Sequence, residues 1–411
     1  MKILVLNCGS SSQKASLYEI ADTLPNSPSK YLWEGRIEWR DNLAAVAVRN
    51  DHGTILKQEV AVLSREEAVR DLVQTAWCGK AQAIASPSEI DVVGHRVVHG
   101  GPRFEEPALL TSEVRSAIES VAPFAPLHIR AEMDGVDSMG RLLGRIPQIA
   151  VFDTGFHRQI PDSAAVYPGP YEWVEKGIRR YGFHGINHQY CAARAAQILE
   201  KNLRTLKLVI CHLGNGCSAA AIAGGRSVDT TMGFTPLEGL VMGTRCGDVD
   251  PSLVSYLSKR EKVEPAEVER WLNERSGLLG LSGRSNDMKE LLRAADKEQD
   301  KRSELAIDLF CYRVRKYLGS YLAILGGADA IVFGGGIGEN APEIRKRICA
   351  NMEWCGCRLD SDRNHATVGL KPGSAAKIST DDSRVGIYVV AADEETWIAK
   401  ETARCVRAIR S

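Results

Sequence analysis

The sequence predicts an α/β protein built from two duplicated domains. A chain of 411 residues exceeds one ordinary hydrophobic core, so two domains are expected. Short apolar runs alternate with amphipathic helical segments throughout, a pattern typical of open sheets flanked by helices. A strand, a polar turn and a second strand at residues 3–20 recur at 207–223. This repeat indicates a duplicated domain, with each half offering one turn to a shared cleft.

Strands are predicted where short apolar runs lie between turn residues, and helices where apolar residues recur every three to four positions. The predicted strands are 2–7, 13–20, 91–98, 148–152, 206–212, 217–223, 330–334 and 386–391. The predicted helices are 64–77, 111–121, 127–142, 186–201, 251–259, 264–274, 303–325 and 393–407.

These elements divide into an N-terminal domain at 1–155 and a second domain at 156–385. The segment 161–182, which contains Pro and Gly, is the expected crossing between them. The last strand and helix, 386–411, could join either half. We assign them to the N-terminal domain because chain termini often lie close together.

Composition argues against several classes of function. Lys and Arg together number 52, as do Asp and Glu, so nucleic acid and anionic membrane surfaces are not expected partners. No stretch of 18 apolar residues predicts a membrane span. The eleven cysteines include no C-x-x-C pair, which favours reduced thiols packed as small apolar groups. We therefore expect a cytoplasmic protein.

The first strand ends in a turn suited to phosphate. Residues 7–14 read Asn-Cys-Gly-Ser-Ser-Ser-Gln-Lys and directly follow the apolar run 3–6. Glycine lets the backbone approach closely, hydroxyls donate to oxygens, Asn7 offers a carbonyl near a metal and Lys14 supplies positive charge. The residue order of a Walker A loop does not occur, and a plain polar turn between two strands is the alternative.

Two later strands end in charged residues. Arg96 lies among valines before a glycine turn, where its planar fork could bind a carboxylate. A salt bridge to a structural Asp is the alternative. Asp153 follows the strand 148–152, at the edge of the sheet where ligands bind in α/β proteins. It could hold a metal-bound water, orient an arginine or cap a helix.

Two glycine-containing segments carry basic residues. His184 stands close to Gly182 and Gly185 and is expected to be an accessible, charge-stabilising donor. His188 four residues later does not complete a zinc site, because no third ligand is nearby, and it is interpreted as structural. Arg245 lies in a glycine-rich loop and could act on a phosphoryl group in transfer, although the acids of this loop could simply pin it.

Three further segments point to a nucleotide and its metal. The glycines at 334–338 follow a strand and precede a helix, which favours nucleotide contact. The turn at 282–287 is a plausible contact for the ribose or the base. Glu394 follows the last strand and could reach Mg²⁺, whereas Asp393 beside it could merely cap the terminal helix.

With these segments in view, the chain resembles the acetate kinase family. The N-x-G-S-S-S-x-K opening at 7–14 and the G-H-R-x-V-H-G-G segment at 94–101 carry the resemblance, which extends from residue 1 to about residue 400. It implies two actin-like, ribonuclease H-like domains with an active-site cleft between them. It also implies a homodimer.

The resemblance assigns roles residue by residue. The implied catalytic residues are Asp153, His184 and Arg245, and the implied metal ligands are Asn7 and Glu394. The implied substrate-binding residues are Arg96, Val98, Leu127, His128, Phe183 and Pro236. The implied nucleotide-binding residues are Lys14, His212, Leu213, Gly214, Asn215, Gly216, Asp287, Met288, Lys289, Gly336, Ile337, Gly338, Glu339 and Asn340.

The implied reaction is reversible, Mg²⁺-dependent transfer of the γ-phosphate of ATP to acetate, giving acetyl phosphate and ADP, with Mn²⁺ as a possible substitute metal. Acetate is ionised at neutral pH, so no general base is required and catalysis rests on positioning and charge stabilisation. Alternatives are a kinase of propionate or butyrate, and a nucleotide-switched binding protein without catalysis.

The chain departs from the usual family pattern at several positions. Ile129-Arg130 stands where Asn-Pro is common, Gly155 where Ala is common, and Asn187 where Ser or Thr is frequent. Lys289 replaces the usual Arg, and Asp393 replaces the usual Asn. The Lys289 exchange weakens the expected base or ribose contact, because Lys lacks the planar fork of Arg.

Overall fold

The structure is a computed structural model that describes residues 1–9, 12–20, 30–40, 43–61, 64–122 and 126–410. The chain divides into two compact units. Unit 1 comprises residues 1–155 and 393–411, and unit 2 comprises residues 156–392.

Unit 1 is built on one mixed sheet with the strand order β5-β4-β3-β2-β1-β6-β8-β7. Its strands are β1 (Lys2–Cys8), β2 (Ser12–Glu19), β3 (Tyr31–Arg40), β4 (Leu43–Asn50), β5 (Ile55–Ala61), β6 (Val92–Val97), β7 (Ala108–Leu109) and β8 (Gln148–Phe152). Its helices are α1 (Arg65–Gln74), α2 (Ser112–Ser120), α3 (Pro126–Leu143) and α15 (Glu394–Arg410), with a 3-10 turn at Pro87–Glu89. Strands β1, β6 and β8 run parallel, and β1 to β5 form an antiparallel meander.

The core of unit 1 lies between the sheet and its helices and includes residues of β1 to β4, β6, α1 and α3. Residues Ile3 to Leu6 of β1 are fully buried, as expected for a strand flanked by packed helices. Helices α3 and α15 pack against β1 and β6. The contact with α15 is close at Gly94, where an added Cβ would lie 2.2 Å from Thr402 Oγ1. Glycine is therefore required at this position of β6.

Unit 2 contains a second sheet with the order β11-β10-β9-β12-β14-β13. Its strands are β9 (Lys207–Leu213), β10 (Cys217–Ala223), β11 (Arg226–Thr230), β12 (Ala330–Gly334), β13 (Ala375–Lys377) and β14 (Gly386–Val390). Its helices are α4 (Asp162–Ala165), α5 (Glu172–Glu175), α6 (Gly185–Ile198), α7 (Ser252–Glu261), α8 (Pro265–Glu274), α9 (Gly277–Ser282), α10 (Met288–Lys297), α11 (Lys301–Leu325), α12 (Gly335–Asn340), α13 (Pro342–Cys349) and α14 (Ser361–Ala366). Further 3-10 turns lie at Gly155–His157, Leu203–Thr205 and Glu353–Cys355.

The two sheets repeat one strand pattern. In each, a first strand (β1 or β9) pairs antiparallel with the next strand and parallel with a later one (β6 or β12). That later strand pairs parallel with a third (β8 or β14), which has an antiparallel neighbour at the edge. The predicted α/β class and the predicted duplication are confirmed.

The C-terminal segment differs from the expectation. The strand Gly386–Val390, which the sequence assigned to the N-terminal domain together with the last helix, pairs with β12 in the sheet of unit 2. Only residues from Asp393 onward belong to unit 1, where α15 packs on β1 and β6. The apolar run of this strand suits any parallel sheet, so its sequence could not select the partner. Among the described residues, no helix has the length and apolarity needed to cross a bilayer.

Candidate active site

In unit 1, two neighbouring parallel strands bring Arg96 and Asp153 together. Arg96 lies at the end of β6, and Asp153 follows β8, which pairs with β6 in register. The Arg96 Nη2 donates to Asp153 Oδ2 at 2.8 Å, and Asp153 is 1% exposed. The structure therefore shows the salt bridge between Arg96 and an Asp that the sequence left open. Asp153 orients the guanidinium, and this contact is compatible with a ligand carboxylate on the rest of Arg96.

A third charged group at this place was missed by sequence reasoning. Glu132 of α3 is buried, and its Oε1 lies 3.9 Å from Arg96 Nη1. Both carboxylate oxygens accept from the backbone N–H of Val98, at 3.1 and 3.0 Å. Burial raises the pKa of Glu132 to about 8, although Arg96 and the Val98 N–H favour its charged form. The only sequence signal was one acid on an otherwise apolar helix face, which does not identify its partner.

The turn between β1 and β2 lies beside the start of α15. Lys14 Nζ pairs with Glu395 Oε1 at 3.3 Å. Asn7 Nδ2 lies 3.4 Å from Glu394 Oε2 and 3.3 Å from Glu395 Oε1. Asn7 and Lys14 are register partners in the hairpin, which explains why both reach the same helix end. Ser10 and Ser11 of the predicted phosphate turn lie outside the described residues.

The acids of unit 1 outnumber the bases around this turn. Burial raises the pKa of Glu394, and repulsion from Asp153 and Glu395 adds to the effect while Arg96 opposes it. Burial opposes the charge of Arg96 too, but Asp153, Glu394 and Glu132 raise its pKa above the ordinary range. The site thus holds four carboxyl groups and two cations, so a further positive charge would be favourable there. The carboxyl groups are those of Glu132, Asp153, Glu394 and Glu395, and the cations are Arg96 and Lys14.

This arrangement fits a divalent cation at Asn7 and Glu394. An amide oxygen and a carboxylate are hard oxygen donors, and Mg²⁺ is commonly held by one or two carboxylates together with water. Within the described residues, no group of three His, Cys, Asp or Glu side chains is arranged to chelate a metal. The donor set therefore suits a metal that brings much of its own coordination shell.

In unit 2, the predicted catalytic residues His184 and Arg245 come together at Gly216. A Cβ added to Gly216 would lie 3.3 Å from His184 Nε2 and 3.9 Å from Arg245 Nη1. His184 is the N-cap of α6 with a left-handed φ of 58°, so its backbone turns sharply at this point. The His184 and His212 rings lie with their centroids 4.3 Å apart. This corner combines two imidazoles, one guanidinium and a glycine turn.

Arg245 differs electrostatically from Arg96. Its Nη1 donates to Pro236 O at 3.4 Å, and among the described residues no carboxylate pairs with it. Burial lowers its pKa, and the opposing effect of Cys217 does not offset the desolvation of the cation. The acids of the same loop have another task, since Asp248 accepts from the backbone N–H of Gly239 at 2.8 Å and pins the loop. The charge of Arg245 therefore remains available to an anion.

The glycine segments predicted to bind nucleotide converge in unit 2. Gly214 in the β9–β10 turn faces Gly336, whose N lies 3.8 Å from the position of an added Cβ. Asn286 Nδ2 donates to Asn215 Oδ1 at 3.2 Å, which links the same turn to the segment before α10. The short helix α12 begins directly after β12 at Gly335, and α13 follows it at Pro342.

Several predicted nucleotide residues have structural tasks of their own. Glu339 Oε1 accepts from the backbone N–H groups of Gly335 and Ala392, at 3.0 and 3.1 Å. Asp287 caps α10 by accepting from the Lys289 N–H at 2.9 Å, and Met288 is buried. These side chains hold the backbone in place, while Asp287 and Lys289 are exposed.

The residues predicted to surround the acyl group divide between the two units. Val98 in unit 1 and Phe183 in unit 2 are buried, whereas Pro236 and His128 are half-buried. The side chain of Leu127 lies outside the described part of the chain. Ile129 is buried and Arg130 is exposed, so the unusual pair leaves the added charge in solvent.

Comparison with known proteins identifies the family. The sequence profile of the acetokinase family matches residues 2–400. The chain belongs to the acetokinase family. The acetate kinase of Cyanothece sp. (strain PCC 7425) is 45% identical over 403 residues, which cover 98% of this chain and 97% of that protein.

Solved structures of the acetokinase family share its fold. The crystal structure of Porphyromonas gingivalis acetate kinase aligns with a TM-score of 0.88 and 38% identity, over 98% of this chain and 99% of that chain. A propionate kinase from Francisella tularensis aligns with a TM-score of 0.87 and 36% identity, with the same coverage. The predicted family and fold are thereby confirmed.

Proposed function

We propose that this chain is an acetate kinase that transfers the γ-phosphate of ATP reversibly to acetate, giving acetyl phosphate and ADP. The observation that carries the proposal is Arg96, a guanidinium at a strand end whose side chain is 15% exposed, with Asp153 on one nitrogen and buried Val98 nearby in sequence. A small apolar carboxylate needs this combination of a planar cation and an apolar wall. The relatives at about 45% identity are named acetate kinases, which supports the same substrate.

Acid binding is assigned to unit 1. Arg96 orients the substrate carboxylate, and Asp153 holds the guanidinium at a fixed angle rather than removing a proton, because the acid is already ionised at neutral pH. Of the roles that the sequence left open for Asp153, this one corresponds to orienting an arginine, and the arginine that it contacts is Arg96. Asn7 and Glu394 would hold Mg²⁺ or Mn²⁺, which when bound supplies charge neutralisation for the nucleotide phosphates.

Stabilisation of the migrating phosphoryl group is assigned to unit 2. Arg245 carries a half-buried charge with no carboxylate partner in the described chain, and His184 lies beside it across Gly216. Such preorganised donors favour the charge that spreads over the equatorial oxygens in phosphoryl transfer. The turn 212–216 and the segment 336–340 are assigned to the binding of ATP, and Lys14 is assigned to its phosphates. The active form is taken to be a homodimer.

A longer acid is the second candidate, because the propionate kinase of F. tularensis resembles this chain almost as closely as the acetate kinase of P. gingivalis does. The test is to trap acyl phosphate with hydroxylamine across formate, acetate, propionate and butyrate, with ATP and Mg²⁺. We expect the highest kcat/KM with acetate. A maximum at propionate would select the second candidate, and ATP hydrolysis without acyl phosphate would overturn both.

A further inference from the structure

One hydroxyl group in unit 2 lies between two imidazole rings. Ser218 Oγ is 2.9 Å from His184 Nδ1 and 2.7 Å from His188 Nε2. Ser218 and His188 are fully buried. A hydroxyl carries a single proton, so Ser218 donates to one ring and must accept from the other. The direction of this chain of hydrogen bonds decides which nitrogen of His184 carries its proton.

The second nitrogen of His188 settles the direction. Its Nδ1 is buried and has no hydrogen-bond partner among the protein atoms of the described residues. A proton there would leave a buried N–H without an acceptor, which is unfavourable. The proton of His188 therefore belongs on Nε2, which donates to Ser218.

His188 does not carry a second proton. Burial lowers its pKa well below the ordinary value, and the neighbouring His157 and His212 add to this effect. The ring centroids of His157 and His188 are 5.5 Å apart, so a charge on both rings would be unfavourable. A neutral His188 with one proton on Nε2 is consistent with each of these contacts.

We propose that His188 and Ser218 are positioning residues that fix His184 in the tautomer with its proton on Nε2. The Ser218 hydroxyl, having accepted from His188, donates to His184 Nδ1, and the remaining proton of His184 lies on Nε2. That nitrogen is the one beside Gly216 and Arg245. The opposite tautomer would direct a lone pair toward an anion held by Arg245.

His212 shows the same arrangement independently. Asn187 Nδ2 lies 2.5 Å from His212 Nδ1, so an amide donor there leaves the ring proton on Nε2. His184 and His212 are stacked neighbours. The two rings, each with an N–H on Nε2, therefore lie side by side in this corner of unit 2. The catalytic consequence rests on the proposed function, whereas the tautomer itself does not.

The direct test is to measure the tautomers of the unmodified protein by NMR. Long-range ¹H–¹⁵N spectra of histidine-labelled protein distinguish a protonated Nδ1 from a protonated Nε2, and His184→Gln and His188→Gln assign the signals. We expect both residues to be protonated on Nε2 at neutral pH. A proton on Nδ1 of His184 would overturn the inference. The result stands whether or not the wild-type protein forms acyl phosphate, so it is separate from the proposed function.

A kinetic test compares Ser218→Ala with Ser227→Ala, because each variant removes one buried hydroxyl that contacts a histidine. Ser218→Ala frees the His184 ring, and we expect kcat to fall by about 10- to 10²-fold with little change in KM, because a misplaced group is costly in the transition state. Ser218→Thr keeps the hydroxyl and should restore most of kcat. The matched control is Ser227→Ala, since Ser227 is buried and lies 2.7 Å from His157 Nδ1.

The control separates positioning from general stability. We expect Ser227→Ala to change kcat by less than about twofold even if its melting temperature falls as far as that of Ser218→Ala. Equal losses of kcat in the two alanine variants, or an unchanged kcat in Ser218→Ala, would overturn the positioning role. If Ser218→Thr fails to fold, the tautomer measurement on the wild-type protein still decides.

Discussion

Units 1 and 2 share one strand pattern but carry different chemistry at equivalent places. The β1–β2 hairpin of unit 1 presents Asn7 and Lys14 to the half-buried carboxylates of Glu394 and Glu395. The equivalent β9–β10 hairpin of unit 2 ends in the glycine turn 214–216, beside two imidazoles. The duplicated fold places a hairpin turn at the equivalent position in each unit. The side chains of each turn then decide what can bind at that position.

The two key arginines show this difference most clearly. Arg96 of unit 1 is held by Asp153 at 2.8 Å, and neighbouring acids raise its pKa. Arg245 of unit 2 has no such partner among the described residues, and burial lowers its pKa. Protein carboxylates largely neutralise the charge of Arg96, whereas the charge of Arg245 has no such partner and is available to an anion. Substitution of each should therefore affect activity and stability in different proportions.

The largest effect is expected for Arg245→Ala. Loss of a guanidinium that acts on a transferring phosphoryl group should lower kcat by about 10³-fold or more. The melting temperature should stay the same or rise, because an uncompensated buried charge has been removed. Steady-state kinetics, nucleotide titration and thermal unfolding measure these quantities, with exposed Arg226→Ala as the control. A large loss of nucleotide affinity would mean that Arg245 is structural.

Arg96→Ala should combine an effect on substrate affinity with an effect on stability. Loss of a desolvated partner should lower kcat/KM for the acid by roughly 10²- to 10³-fold. The free energy of unfolding should also fall, by about 3–5 kcal/mol, because the buried Asp153 loses its cation.

The control for Arg96 is Arg103→Ala, which removes an exposed ion pair with Glu113 in the same unit. That change should cost no more than about 1 kcal/mol. Denaturant unfolding and an acetate titration separate the two effects. Equal losses of stability in Arg96→Ala and Arg103→Ala would show that the Arg96–Asp153 pair contributes no more than an exposed ion pair.

Glu132→Gln should remove a pH dependence of stability. The pKa of Glu132 is about 8 in the folded chain, above its ordinary value of 4.5. Its contribution is therefore fully present below pH 4.5 and is lost as the pH rises towards 8, with a slope of at most about 1.4 kcal/mol per pH unit. Denaturant unfolding between pH 5 and 8 should show a shallower decline for the variant.

The matched control for Glu132 lies on the same helix. Asp137→Asn neutralises a half-exposed acid of α3 that pairs with Arg115. This variant should keep the wild-type slope between pH 5 and 8. Parallel curves for Glu132→Gln and the wild type would show that Glu132 is already ionised at neutral pH.

The smallest effect is expected for Lys289→Arg, which introduces the residue usual in the family. Lys289 is exposed at the start of α10 in unit 2. Contacts of exposed charges contribute little, so KM for ATP should change by less than about fivefold, with kcat unaltered. A larger decrease in KM would place this side chain in direct contact with the nucleotide.

The sequence also failed to reveal parts of the fold. Strands β3 to β5 of the unit 1 meander were not predicted. Strand β5 is largely exposed and reads as a mixed polar segment, because an antiparallel edge strand needs only one apolar face. Strand β14 was recognised but assigned to the wrong sheet. Periodicity shows that a strand exists, but its neighbour depends on contacts far away along the chain.

The sequence by itself determined the α/β class, the duplication, the strand ends at which Arg96 and Asp153 occur, and the glycine-containing segments that carry His184 and Arg245. These features are local, because the periodicity of apolar residues and the positions of glycine turns depend on residues close together in the sequence. Only the tertiary structure decided the partners of the buried polar groups: Arg96 with Asp153, Val98 with Glu132, and His184 with Ser218. Such pairs join segments 34 to 57 residues apart, and a buried charge or hydrogen-bond donor is satisfied by whichever group the packing brings to it.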